Sequence, residues 1–417
     1  MKKSFPNPSV ALAPPAVLEL EEAVSRIVAG LSPLPSEKVD LAHAAGRVLA
    51  RPVVSAIDLP HFDNSAMDGY AVNAADLAAA TRTAPVALRL AGKVAAGEIF
   101  PGKIHPGLCV RLFTGSPVPR GADAVVMQED VLIDAVDRAS ILFREPVKPW
   151  ENVRFRGEDV KSGAVLADAG QRLNVGALSL LAATGATAVS VGRRPRVGLL
   201  ATGSELREPG KPLAPGEVYE SNRVGLSELI VRCGGLPRVE PLIMDDLEMT
   251  RNVLEKLLEK VDVVVTSGGV SVGEFDFVKT AFEKLGGKLD FWRVAIRPGK
   301  PFACGTMGKK FLFGLPGNPV SALVTFWLLV RPALLRLQGA AHLAPPMRHG
   351  ILAEPLINRS DRRHFMRVRL DENGVARLTG PQASHILSSL AQANGLVDVA
   401  AGTTLPAASR ANVLVWD

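Results

Sequence analysis

Two glycine-rich turns and the cationic loop between them carry the residue types best suited to chemistry. The first turn is Ser267-Gly268-Gly269, followed by Val270-Ser271-Val272-Gly273; the second is Leu315-Pro316-Gly317-Asn318-Pro319. Each follows a short apolar run, Val261–Thr266 and Phe311–Gly314, and each precedes a segment with helical spacing. Glycines at such a junction let backbone N–H groups close around an anion at the positive end of the next helix. Pro319 suits a first helical position. Between the turns, Arg293, Arg297 and Lys300 supply positive charge for a second anion, or for charge developing at a phosphoryl group. Glu205, Asp245 and Asp276 are carboxylates at strand ends that could hold Mg²⁺ against a phosphate, because this hard cation takes a few protein oxygens and completes its shell from water and substrate. Asp276 also lies in the first turn of its helix, where the ordinary role of a carboxylate is to compensate the helix dipole. The residues alone indicate a phosphate-bearing ligand and a reaction at a P–O bond; they do not name the substrate.

The elements that must hold these groups alternate between strand and helix. Strands are predicted at Val197–Ala201, Arg238–Ile243, Val261–Thr266, Leu289–Ala295, Phe302–Cys304 and Phe311–Gly314. Helices are predicted at Arg223–Cys233, Glu248–Lys260, Phe277–Leu285 and Val320–Leu337. Such alternation makes an α/β domain with a mostly parallel sheet, whose polar residues gather at the carboxyl edge where open sheets bind ligands. No GxxxxGK[ST] or GxGxxG is present, which disfavours a P-loop nucleotidase and a dinucleotide site.

Upstream, residues 1–16 read as a disordered lead-in, Val17–Val28 as an amphipathic helix stopping at Gly30, and Ala42–Ala50 as a second helix closed by Arg51-Pro52. The cluster Phe62-Asp63-Asn64-Ser65-Ala66-Met67-Asp68-Gly69-Tyr70 is dense in polar groups, although Asn-Ser and Asp-Gly are common turn formers. Short strands broken by Gly and Pro between Pro85 and Val147 suggest a small β domain, and Asn174 can cap a helix at Val175–Ala183. After a linker at Ala340–Pro346 the chain returns to short strands; its Arg359, Arg362, Arg363, Arg367 and Arg369 read as a solvated basic face. The division expected is a lead-in (1–16), an elongated N-terminal domain (17–60 with 160–192), an inserted β domain (61–159), an α/β domain (193–340) and a C-terminal β domain (347–417).

Composition narrows the class. A chain of 417 residues, 47% hydrophobic and 22% charged, should hold more than one domain. The net charge of +6 favours anionic ligands, but no basic run is interleaved with aromatics, so nucleic acid is not an expected partner. Cys109, Cys233 and Cys304 lie in no metal or redox spacing and read as buried thiols of a reducing compartment. The seven histidines form no ligand pair. Prolines at 6, 8, 14 and 15 break any signal-peptide core, and the apolar run Val320–Val330 stops at Arg331-Pro332, short of a membrane span. A cytoplasmic location is expected.

Five motifs in order, FDNSAMDGYAV (62–72), FTGSPVP with GADAVVMQE (113–129), RGEDV (156–160), TSGGVSVGEFD (266–276) and RPGKPF with GLPGNPVSA (297–322), resemble the molybdopterin molybdenumtransferase (MoeA) family, enzymes related to the E domain of gephyrin. The resemblance covers about residues 17–417. It implies that adenylated molybdopterin and molybdate react with Mg²⁺ to give molybdenum cofactor and AMP. It implies catalytic roles for Asp68, Thr114, Asp159, Glu205, Asp245, Asp276, Arg293 and Arg297, with Asp245 and Asp276 on the metal. It implies substrate contacts from Ser267, Gly268, Gly269, Lys300, Pro316, Gly317, Asn318, Pro319, Ser321, Arg362 and Ser384. The family is an elongated homodimer in which one subunit's cleft faces the other's β domain, and its partners include the molybdopterin adenylyltransferase and molybdoenzymes. The chain departs from the family pattern at Arg293 and Arg297, which are lysine in some members, at Glu220-Ser221-Asn222, and at Ser204, where an acid is common. The alternatives are the adenylyltransferase itself, against which the domains outside the α/β unit argue, and a non-catalytic gephyrin-like scaffold, against which the retained carboxylates argue.

Overall fold

The computed structural model describes residues 17–268 and 277–416. At its centre is a six-stranded sheet in the order Leu236–Val239, Arg196–Ala201, Val263–Ser267, Lys310–Leu315, Pro301–Met307, Lys288–Arg293. The first four strands are mutually parallel, and Pro301–Met307 runs antiparallel to both its neighbours. Val263, Val264 and Val265 are all fully buried, as a central strand covered on both faces must be. Val263 and Val265 point into one core with Leu226 and Ile230 of helix Asn222–Arg232, and with Val320 and Leu334. Val264 points into the opposite core with Leu254, Leu257 and Leu258 of helix Leu247–Lys260 and Val278 of helix Phe277–Lys284. The two-residue period of the strand thus assigns each valine to one helix layer.

The helix predicted at Val320–Leu337 forms, and it carries its apolar run past Arg331-Pro332, where that run was expected to stop. It runs over Pro319–Leu337, is apolar enough to cross a membrane by length and composition, and is 89% buried inside the fold, so it is a core helix. It passes Pro332 by widening into a π-helical turn at Phe326–Val330. That turn relieves the clash between a proline ring and the carbonyl four residues before it. Arg331 stays buried, its guanidinium bonded to the Leu343 carbonyl (2.8 Å) and lying over the Trp327 ring.

Ser36–Asp40 pairs antiparallel with Ala188–Gly192, and Val53–Val54 with Val165–Ala167. Asn174 caps helix Val175–Ala183 by accepting the Ala177 N–H at 2.9 Å. The helix expected at Ala42–Ala50 does not form. A single 3₁₀ turn at Leu41–His43 leads to Gly46 at φ +68°, after which Val48 and Leu49 bridge to Arg172 and Val191. Burial of Val48 and Leu49 in those pairings overrides the local alanine-rich propensity. Strands between Gly69 and Phe143 build a second six-stranded sheet in which Gly69–Val72, the end of the MDGYAV motif, is a fully buried inner strand.

The C-terminal sheet contains Arg363–Leu370, Val375–Leu378, Met347–Leu352, Arg410–Val415 and Gly395–Val399, and closes on itself because Arg363–Leu370 also pairs with Gly395–Val399. Ile296–Arg297 joins it, pairing in parallel with Arg363 and His364, and so fixes the RPGKP loop against this domain. The arginines are not a uniform solvated face. Arg359 and Arg369 are exposed, Arg363 is paired with Asp398 and Glu21, and Arg367 is 0% exposed. The three cysteines are buried, as expected.

Candidate active site

A cavity of about 870 Å³ opens at the carboxyl edge of the central sheet. Its floor is the pair of glycine turns: Ser267 and Gly268 from one, Pro316, Gly317, Asn318 and Pro319 from the other. Glu205, Asp245, Tyr219 and His385 stand on its walls. The turns close on each other because parallel strands Val263–Ser267 and Lys310–Leu315 end in register, Ser267 opposite Leu315. Gly268 donates its N–H to the Leu315 carbonyl at 3.1 Å and sits at φ +86°, a left-handed conformation that L side chains resist. Gly269 and Asp276 lie outside the described residues.

Asn222 fastens the two turns together. Its amide donates to Ser267 Oγ and to the Gly317 carbonyl, both at 2.7 Å, while its own carbonyl oxygen is buried without a partner and the residue lines the cavity. The sequence reading gave this residue no role; the available signal is a polar amide at the first position of an otherwise core-facing helix. The start of that helix is held by Arg223, buried between Glu220 (2.9 Å) and Glu208 (2.8 Å). Asp245 and Ser204 bond reciprocally: Asp245 Oδ2 accepts the Ser204 N–H at 3.0 Å, and Ser204 Oγ accepts the Asp245 N–H at 3.2 Å. The Ser204 backbone therefore orients the Asp245 carboxylate, and the Ser204 hydroxyl steadies the Asp245 backbone.

A second cavity of about 410 Å³ adjoins the first through Pro301, Pro316 and Asn318, which line both. Its walls are the Arg297-Pro298-Gly299-Lys300 loop, Ser321, Arg362, Gln382, Ala383 and Ser384. Arg362 is steadied by its bond to the Ile296 carbonyl at 3.1 Å, and the Val320 N–H reaches the Ser384 carbonyl at 3.2 Å. The local charge is visible in its effect on His364, whose ring is pushed down to about 4 by burial and by Arg297, Arg367 and Arg362. Arg293, on the edge strand, lines neither cavity, and its carbonyl accepts the Leu18 N–H.

Asp68 and Thr114, 46 residues apart, are brought together in the inserted sheet. Asp68 Oδ1 accepts both the Thr114 N–H and its hydroxyl at 2.8 Å, and these bonds hold the carboxyl below the usual carboxylate range. Asp159 is exposed on a return segment, its N–H bonded to the Leu59 carbonyl. None of these three lines either cavity within the chain.

Three family models match the chain in series: the MoeA N-terminal region (domain I and II) over residues 18–185, a probable molybdopterin binding domain over 198–336, and the MoeA C-terminal region (domain IV) over 349–416. The molybdopterin molybdenumtransferase of Haemophilus influenzae is 38% identical over 402 residues, spanning 93% of this chain and 98% of the relative. The chain belongs to the MoeA family. Its role is therefore in molybdenum cofactor biosynthesis. Molybdopterin molybdenumtransferase 2 of Mycobacterium tuberculosis is 37% identical across 96% of this MoeA chain and 99% of the relative. Among solved structures, a molybdopterin biosynthesis moeA protein from Pyrococcus horikoshii OT3 superposes with a TM-score of 0.83 at 31% identity, covering 96% of this chain and all of that one.

Proposed function

We propose that this MoeA chain is a molybdopterin molybdenumtransferase that takes adenylated molybdopterin and molybdate and yields molybdenum cofactor and AMP. The observation that carries the reading is the junction of two unlike cavities at Pro301, Pro316 and Asn318. The larger, with its glycine turns and carboxylates, suits a bulky phosphoanhydride; the smaller, with Arg297, Lys300 and Arg362, suits a compact oxyanion. Backbone N–H groups of the turns other than that of Gly268, which the Leu315 carbonyl takes, bind phosphate, Asn222 keeps the turns at a fixed separation, and the small cavity holds molybdate beside the sulfurs that will receive it. The arginine at 297 adds planar two-point recognition that a lysine lacks.

Mg²⁺ belongs to this reading. Asp245 and Glu205 present only oxygen donors to the large cavity, and among the described residues no three His, Cys, Asp or Glu cluster as a self-sufficient metal site. That donor set fits a hard cation that draws most of its shell from water and phosphate. Asp245, with Asp276, would hold it; when bound, Mg²⁺ neutralises phosphoanhydride charge. Asp68, Thr114 and Asp159 would complete the cleft from a second copy of the chain, which makes the active unit a homodimer. The domain limits expected from sequence and a cytoplasmic site of action, in exchange with the adenylyltransferase upstream and molybdoenzymes downstream, are part of the same proposal.

The test is release of AMP from adenylated molybdopterin by purified protein with molybdate and Mg²⁺. Release that needs both ions, and that falls about a hundredfold or more in Asp245→Asn, as loss of a preorganised charged group does, is expected. Molybdate-independent release, or consumption of ATP with molybdopterin alone, would contradict it and favour the adenylyltransferase.

A further inference from the structure

We propose that Arg367 is a positioning residue that sets the affinity of the small cavity for its oxyanion. Arg367 touches neither cavity, yet its bonds converge on the segment that forms one wall. Nη2 donates to the Pro381 carbonyl at 2.8 Å and the Ala383 carbonyl at 3.1 Å, and Nε donates to Ser389 Oγ at 2.7 Å. Its backbone N–H donates to Gln382 Oε1 at 2.7 Å, and its carbonyl accepts from Gln382 Nε2 at 3.2 Å. Gln382, Ala383 and Ser384 line the cavity, and Ser384 then docks on the helix that opens at Pro319.

The chemistry of this anchor is unusual. A buried guanidinium is ordinarily paired with a carboxylate, but among the described residues Arg367 has no ion-pair partner, and Nη1 makes no hydrogen bond. Burial pulls it down to about 10, so it remains charged at neutral pH. The charge is held by carbonyl dipoles of the very loop it shapes, which ties the loop's conformation to the guanidinium fork. The planar fork places its fixed donors on separate nitrogens, so that it bonds two carbonyls and a hydroxyl at once. The uncompensated charge also adds to the field of Arg297, Lys300 and Arg362. Loop geometry and field therefore act most directly on the oxyanion cavity, whose lining residues Gln382 and Ala383 bond Arg367, while the large cavity takes only His385 and Leu387 from this segment.

This inference rests on the reading that the small cavity takes molybdate, and the experiment separates the two. Binding of sodium molybdate is titrated calorimetrically, and KM for molybdate and for adenylated molybdopterin is measured, in Arg367→Lys, Arg367→Met, Ser389→Ala and Arg362→Ala. Arg362→Ala, which alters a lining cation, should weaken molybdate; if it does not, the assignment of the cavity fails. Given that effect, Arg367→Lys and Arg367→Met should raise KM and Kd for molybdate about tenfold or more, the loss of two charge-assisted bonds, with kcat and the other KM within about threefold. Ser389→Ala keeps the charge and the lining and should give a smaller shift of the same kind. If Arg367→Met does not fold, the lysine and alanine variants carry the test. Unchanged molybdate affinity in folded variants, or equal losses for both substrates, would overturn the proposal.

Discussion

The two glycine turns make a quantitative demand on Gly268. A Cβ there would lie 2.7 Å from the Thr202 carbonyl oxygen, and the residue sits at φ +86°. Gly286, after helix Phe277–Lys284, has φ +88° and nothing within 4 Å of its Cβ position. The pair is a matched comparison within one domain. Gly286→Ala should cost the left-handed strain alone, ~1–2 kcal/mol, offset by ~0.4–1 kcal/mol from a stiffer unfolded chain. Gly268→Ala carries the same two terms plus a backbone collision that must displace Thr202 or the turn, a further ~1–3 kcal/mol. The strain and unfolded-state terms cancel in the difference, so the two variants should separate by that last amount in urea unfolding. The turns also lie close enough that a Cβ on Gly317 would be 3.8 Å from Gly268 Cα, so displacement of one disturbs the other. KM for adenylated molybdopterin should therefore rise more than tenfold in Gly268→Ala and stay near the parent value in Gly286→Ala. Equal destabilisation and equal KM would refute the claim that the closeness of the turns shapes the site.

Mixing Asp68→Ala with Asp245→Ala subunits should restore about a quarter of parental turnover in statistically formed dimers, as each mixed dimer keeps one intact shared cleft; no recovery would confine the site to one chain. His364 lies below its ordinary value in the fold, so between about pH 6.5 and 4 the unfolded chain binds the extra proton. Stability should accordingly fall as pH drops through that window, by no more than ~2–3 kcal/mol once solvent screening is allowed for, and His364→Gln should flatten the dependence in acid unfolding titrations; parallel profiles would contradict the assignment.

How much of this was legible in the sequence depended on whether local pattern and tertiary packing agreed. Strand Val131–Ile133, in the stretch read as short strands, pairs with Ser140–Phe143 next along the chain, and helix Val175–Ala183 forms where it was expected under its Asn174 cap, because both are satisfied by neighbours on the chain. The glycine turns were readable for the same reason: their conformation is written in residues that tolerate few others. Ala42–Ala50 misled, since its alanines favour helix locally while Val48 and Leu49 find more burial in pairings with residues over a hundred positions away. Arg367 misled too. Charge alone places an arginine in solvent, and only the distant carbonyls of Pro381 and Ala383 make its burial tolerable. Asn222 resembles any polar helix start until Ser267 and Gly317 arrive beside it. The junction of the two cavities rests on Ile296–Arg297 joining the C-terminal sheet, a pairing of two residues that no periodicity announces.

The most direct test of the central claim is a single turnover in which both products are counted. Purified protein loaded with adenylated molybdopterin is given Mg²⁺ and labelled molybdate, and the AMP released is compared with the molybdenum that becomes able to activate a molybdenum-free molybdoenzyme. The expected result is one activating molybdenum per AMP, with neither formed when molybdate is withheld. AMP released without transferable molybdenum, or no AMP while the Haemophilus influenzae relative reacts in parallel, would contradict it.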